Sequence, residues 1–113
     1  MTQNLEIEKA KGHCMADLLE YMPHSVVIRT ILKKITGNIH VSSVDKGEGV
    51  SENISPFDTF IQIIEGKAEI MINGQSSLLE KGDGIIVPAH EPSSIIAHVR
   101  FKMISTVIKS GYE

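Results

Sequence analysis

Side chains able to carry metal or acid–base chemistry are few and widely spaced. The chain has five histidines, His13, His24, His40, His90 and His98. Imidazole together with carboxylate is the donor set that suits iron, manganese, nickel or zinc. No two of the histidines stand in an H-x-H or H-x3-H spacing, so a metal centre would have to be assembled from distant positions. Cys14 is the sole cysteine and cannot form an intrachain disulfide, which agrees with a reducing compartment. It is expected to be a small buried thiol. No glycine-rich phosphate loop is present, because Gly82 and Gly84 lead into a strand-like run and not into a helix.

Composition narrows the function classes. With 113 residues and 42% apolar content, the chain is expected to form one domain around one core. A net charge of -3 with no basic cluster longer than Lys33-Lys34 excludes a phosphate-backbone partner, so no nucleic acid is expected. No run approaches the ~20 apolar residues of a membrane span, and the N-terminus lacks the apolar stretch of a signal peptide. The expected setting is cytoplasmic, with no membrane partner.

The elements that must position any site follow from periodicity. Met15, Leu18, Leu19 and Met22 fall at i, i+3, i+4, i+7 before Pro23, predicting a short helix over 15–22 that lids one end of a sheet. From residue 25 the texture changes to runs rich in Val, Ile and Thr, broken by Gly, Asn, Asp and Pro. These predict strands at 26–33, 39–45, 50–54, 59–64, 67–73, 75–80, 84–87, 94–99 and 101–109. Asn73-Gly74 is a hairpin signal, since a type I′ turn needs positive φ at both central residues. The fold class is therefore all-β, a small sandwich or barrel of jelly-roll type. A segment 1–24 with the short helix precedes a barrel at 25–113.

Side-chain parity adds detail. Ala68, Ile70 and Ile72 share one face of their run, and Ile61 and Ile63 lie on the Thr59 face of theirs. Phe60 and Ile64 flank Gln62 on the opposite face, and an apolar outer face needs a cover. Either the N-terminal segment or a second copy of the chain would serve, and an isologous homodimer is the expectation. The methionines are expected to be core fillers.

The spacing of glycines and prolines carries a family resemblance. Gly47 and Gly66 fit the ends of the motif G-x5-H-x-H-x3-E-x6-G, while Gly82 and Pro88 fit the start of G-x5-P-x-G-x2-H-x3-N. With the texture IIEGKAEIMING followed by LLEKGDGIIVPAHEP, the chain resembles a small single-domain cupin. That resemblance implies a jelly-roll β-barrel whose inward His and Glu residues hold a transition metal. Here the ligand positions carry other residues: Asn53 and Ser55 for two His, Thr59 for the Glu and Ser93 for the third His. His90 and Ala97 replace the second motif's Gly and Asn. Neutral amide and hydroxyl oxygens bring no charge and hold such a metal poorly against water, so no cofactor is expected.

What remains is a polar cluster, Asn53, Ser55, Thr59 and Ser93, in the barrel mouth. Ile61 and Ile63 are its inward apolar neighbours, and His90 sits near the rim in the 88–92 loop. The expected function is metal-free binding of a small neutral or sugar-like molecule; the bland alternative is a water-filled remnant of a lost site. If Ser93 faces inward, parity sends Ile95, Ala97 and Val99 inward and His98 outward. His40 lies on a predicted strand whose facing the sequence leaves open, while His13 and His24 are expected at the surface. The competing enzymatic reading is an isomerase, epimerase or dioxygenase with zinc, iron, manganese or nickel on relocated ligands such as His90 or His40. Metal-free acid–base catalysis, which some related sugar epimerases imply, would need an inward His with a carboxylate and a Tyr acid. Tyr21 and Tyr112 lie outside the predicted strands, and Asp58 and Glu52 face away or sit at the rim.

Overall fold

A computed structural model describes residues 6–112. Eight strands follow a single 3₁₀ turn, Met15–Asp17: β1 (Val26–Lys34), β2 (Gly37–Val44), β3 (Gly49–Asn53), β4 (Asp58–Ile72), β5 (Gln75–Glu80), β6 (Gly84–Val87), β7 (Ser93–Ile96) and β8 (Phe101–Ile108). All pairings are antiparallel, in the order β1-β2-β8-β4-β7-β3, with β5 and β6 also paired to β4. The sheet curls into a half-barrel of jelly-roll type. No helix among the described residues is long and apolar enough to cross a membrane.

β4 is the spine of the molecule. Its first half pairs with β6 and β8, its second half with β5 and β7. The glycine at 66 suggests two separate strands in the sequence, but one strand of 15 residues runs through it. A bulge between Ile63 and Glu65 and a φ of 77° at Gly66 turn the strand from one wall to the other, the use to which bulges and glycines are put where sheets bend. Asn73 and Gly74 both have positive φ, 49° and 81°, as a type I′ hairpin requires. The Lys81–Gly84 reversal is tied back to β4 by Gly82 N–H donating to Ile63 O and Ile63 N–H donating to Asp83 O.

The core follows the alternation of the strands. Ile61, Ile63, Ala68 and Ile70 of β4 meet Phe101 and Met103 of β8, Val44 of β2 and Ile95 of β7. Phe101, Ile63 and Ile70 are wholly buried.

The N-terminal segment differs from the predicted helix. Only residues 15–17 turn, and the chain then lies extended across the outer face of β2 and β8. A segment bounded by Pro23 is too short to repay helix nucleation, and its groups find partners on the sheet instead. Lys102 Nζ donates to Ala16 O, Arg29 donates to Leu18 O at 2.9 Å, and Ser43 Oγ donates to Glu20 O at 3.0 Å. Tyr21 O–H donates to the Glu65 carboxylate, and burial first, then that bond, push the phenol well above its usual range. This cover seals Val41, Ser43 and Lys102, leaving Phe60 and its cross-strand neighbour Ile86 exposed.

Three smaller expectations are corrected. Cys14 is exposed, because it precedes the turn and not a packed helix face. Met22 is exposed because it follows the turn, in a stretch that forms no helix to bury its face. Val99 is exposed and not inward, because β7 ends at Ile96 and alternation no longer applies beyond Ala97.

Candidate functional site

β3, β4, β7 and β8 gather a small cavity of about 160 Å³ at the barrel mouth. Asn53, Ser55, Thr59 and Ser93 all line it, as does Ile61. Asn53 and Ser93 are brought together by cross-strand pairing of β3 with β7, and Ser93 is held on its other side opposite Ile72 of β4. Ser55 is fixed from two directions: its Oγ accepts from Phe57 N–H at 3.1 Å, and its carbonyl accepts from His90 N–H at 2.7 Å.

Two of the residues singled out in the sequence lie elsewhere. Ile63 is buried in the core and outside the cavity lining. His90 meets Ser55 only through its backbone; its φ of 70° belongs to the 88–92 loop and its side chain is exposed. The loop is anchored by Ala89 N–H donating to Asp58 Oδ1 at 2.8 Å.

The sequence reading missed Ser105, Ser94 and the apolar lining residues Val50, Val87 and Met103. Ser105 was within reach of parity, since Phe101, Met103 and Ser105 alternate along β8 on the buried side.

Pairing also fixes the facing of His40. It stands opposite Ser105 of β8, which lines the cavity, and directly opposed residues in a sheet share a face. Val41 and Ser43 point the other way, under the N-terminal segment. His40 therefore faces the barrel interior. Burial first, then the charges of Lys109 and Lys33, hold its pKa below the ordinary value of 6.5, so the ring is neutral at pH 7.

A depressed histidine pKa stabilises the fold above the unfolded value, and that stabilisation is lost as pH falls through the folded one. Melting temperature is expected to decline below about pH 6.5, with a slope that flattens in His40→Gln. An unchanged slope in that variant would place the imidazole in water.

The donor set does not fit a transition metal. The four positions supply only neutral oxygens, and among the described residues no three of His, Cys, Asp and Glu come together to hold an ion. Nor does a Tyr acid line the cavity: Tyr21 is on the outer face, and the Tyr112 hydroxyl oxygen accepts from Asp58 N–H at 2.7 Å beside Phe57. His98 also lies outside, its Nε2 2.7 Å from Glu69 Oε1. That bond first, and one from Ser76, hold the Glu69 carboxyl below its usual range. A wider cleft of about 320 Å³ beside this pair is bordered by Leu78, Lys67 and Asp83 and is separate from the barrel mouth.

No family model matches the chain, and no curated protein matches it either. Solved structures do. A conserved protein of unknown function from Streptococcus pyogenes is 29% identical, with a TM-score of 0.88 over 98% of this chain and 97% of that one. A cupin superfamily protein from Desulfitobacterium hafniense is 25% identical, with a TM-score of 0.84 over 97% of this chain and 100% of that one. Salicylate 1,2-dioxygenase from Pseudoaminobacter salicylatoxidans shares the fold at 21% identity and a TM-score of 0.69, over 74% of this chain and 25% of that one. With these likenesses and the half-barrel topology, the chain is a small cupin-type domain.

Proposed function

We propose that this domain is a metal-free, cytoplasmic binding protein that holds a small neutral or sugar-like molecule in the barrel mouth and works as a homodimer. The observation that carries the reading is the convergence of Asn53, Ser55, Thr59 and Ser93 on one cavity. Amide and hydroxyl groups both donate and accept, so such a lining matches the hydroxyls of a neutral ligand better than it matches an ion. At about 160 Å³, set against roughly 30 Å³ for each water, the cavity limits the ligand to one small ring or a short polyol. The dimer reading draws support from Phe60 and Ile86, 43% and 61% exposed on the face that the N-terminal segment leaves open.

The competing reading, a metal-dependent isomerase, epimerase or dioxygenase, requires donors that the described residues do not bring together. Elemental mass spectrometry on untagged protein decides between them, before and after chelation and after loading with iron, manganese, nickel and zinc. The expected result is no stoichiometric metal and a melting temperature unmoved by chelator. Metal that survives washing would overturn the proposal.

A further inference from the structure

Two polar atoms on the inner side of β2 are buried without a hydrogen-bond partner: Asn38 Oδ1 and His40 Nδ1. They sit two residues apart on one strand and so share a face. Asn38 lies opposite Val107, which in turn lies opposite Thr59; His40 lies opposite Ser105. Thr59 and Ser105 both line the cavity; Asn38 and His40 are not among its lining residues and stand one strand further along the same inner wall, on β2. An unmatched buried polar group costs a fold free energy, and two on one strand beside one cavity are a place to look for what they bind.

The chemistry of these atoms selects among ligand classes. A carboxylate or phosphate offers no hydrogen to the amide oxygen. A cation is opposed by Lys109 and Lys33, whose charges reach His40. A hydroxyl donates to the amide oxygen and serves the imidazole nitrogen in either tautomer. Two positions along a strand are roughly 7 Å apart, a span that hydroxyls on one small ring or short polyol cover.

We propose that Asn38 and His40 form a second recognition wall of the pocket, each receiving one hydroxyl of a neutral polyhydroxy ligand whose other side meets Asn53, Ser55, Thr59 and Ser93. This rests on the function proposed above and specifies its ligand class and the residues that select it.

The test is calorimetric titration of neutral pentoses, hexoses and cyclitols, with the matching sugar acids as controls, into the full chain and its His40→Leu, Asn38→Leu and Ser93→Ala variants. Each leucine variant is expected to weaken sugar binding about tenfold and to melt higher than the parent without ligand, because an apolar side chain removes an unpartnered polar atom. A structural role, such as holding a buried water, would instead lower the melting temperature, and that outcome overturns the proposal. Sugar binding lost in Ser93→Ala but unchanged in both leucine variants overturns the second wall while leaving the pocket reading intact. Binding of the acids alone overturns the neutral ligand class, and no binding of any compound overturns both readings. In the unsubstituted protein the His40 Nδ1 nitrogen-15 resonance is expected to move on sugar addition; a fixed resonance also overturns the second wall.

Discussion

Gly66→Ala is expected to destabilise the domain by about 2–6 kcal/mol, the sum of a backbone cost of about 1–3 kcal/mol for a non-glycine residue at strained φ and a similar cost for steric overpacking. Gly66 has φ 77°, and a Cβ there would fall against the carbonyl oxygen of Arg100 and within 2.9 Å of Phe101 Cα. Both obstacles are backbone, and Phe101 is wholly buried, so neither can swing aside. Since domains of this size have about 5–15 kcal/mol in total, a large fraction of the protein should be unfolded at modest urea. Gly74→Ala is the control: its φ is 81°, yet nothing lies within 4 Å of the added methyl. Urea midpoints should therefore separate the two variants clearly, and equal losses would mean that β4 does not pass β8 as closely as described.

Ile63→Ala is the second large effect, with an expected loss of about 2–5 kcal/mol. Ile63 is fully enclosed in the cluster that contains Phe101, Met103 and Ala68. Its backbone is pinned on both sides by the Gly82–Asp83 turn, so the surroundings have little freedom to collapse into the space left behind. Ile61→Ala should fall at the lower end of the same range, because Ile61 already borders a cavity and forfeits fewer contacts. Denaturant curves for the pair give the ordering, and near-parental stability of Ile63→Ala would remove it from the core.

The strands were legible because Val, Ile and Thr runs alternate cleanly and turn residues punctuate them. Asn73-Gly74 and the Lys81–Gly84 reversal carry their own backbone requirements and emerge as expected. The burial of Ala68 and Ile70 followed from parity alone. Parity failed at Val99, where the strand stops before the pattern does. It also gave no facing for His40, because β1 and β2 pair through a bulge between Thr30 and Leu32 and no local signal fixes the register. The helix over 15–22 was misread because i, i+3, i+4, i+7 spacing describes a face, while residues 18–21 use their backbone and side-chain groups against the sheet. Gly66 looked like a break and is a bend.

The position of β8 has a consequence for how the chain acquires its shape during synthesis. This strand lies between β2 and β4, so the two halves of the wall are joined only by a segment that leaves the ribosome after both of them. Until residue 108 has emerged, β2 and β4 each present an unpaired inner edge and a half-exposed apolar face, the condition in which nascent chains associate with one another or with chaperones. Assembly of the barrel is thus a late event that waits on long-range pairing and not on the local hairpins, and the pocket, whose Ser105 comes from this same strand, is completed in that step.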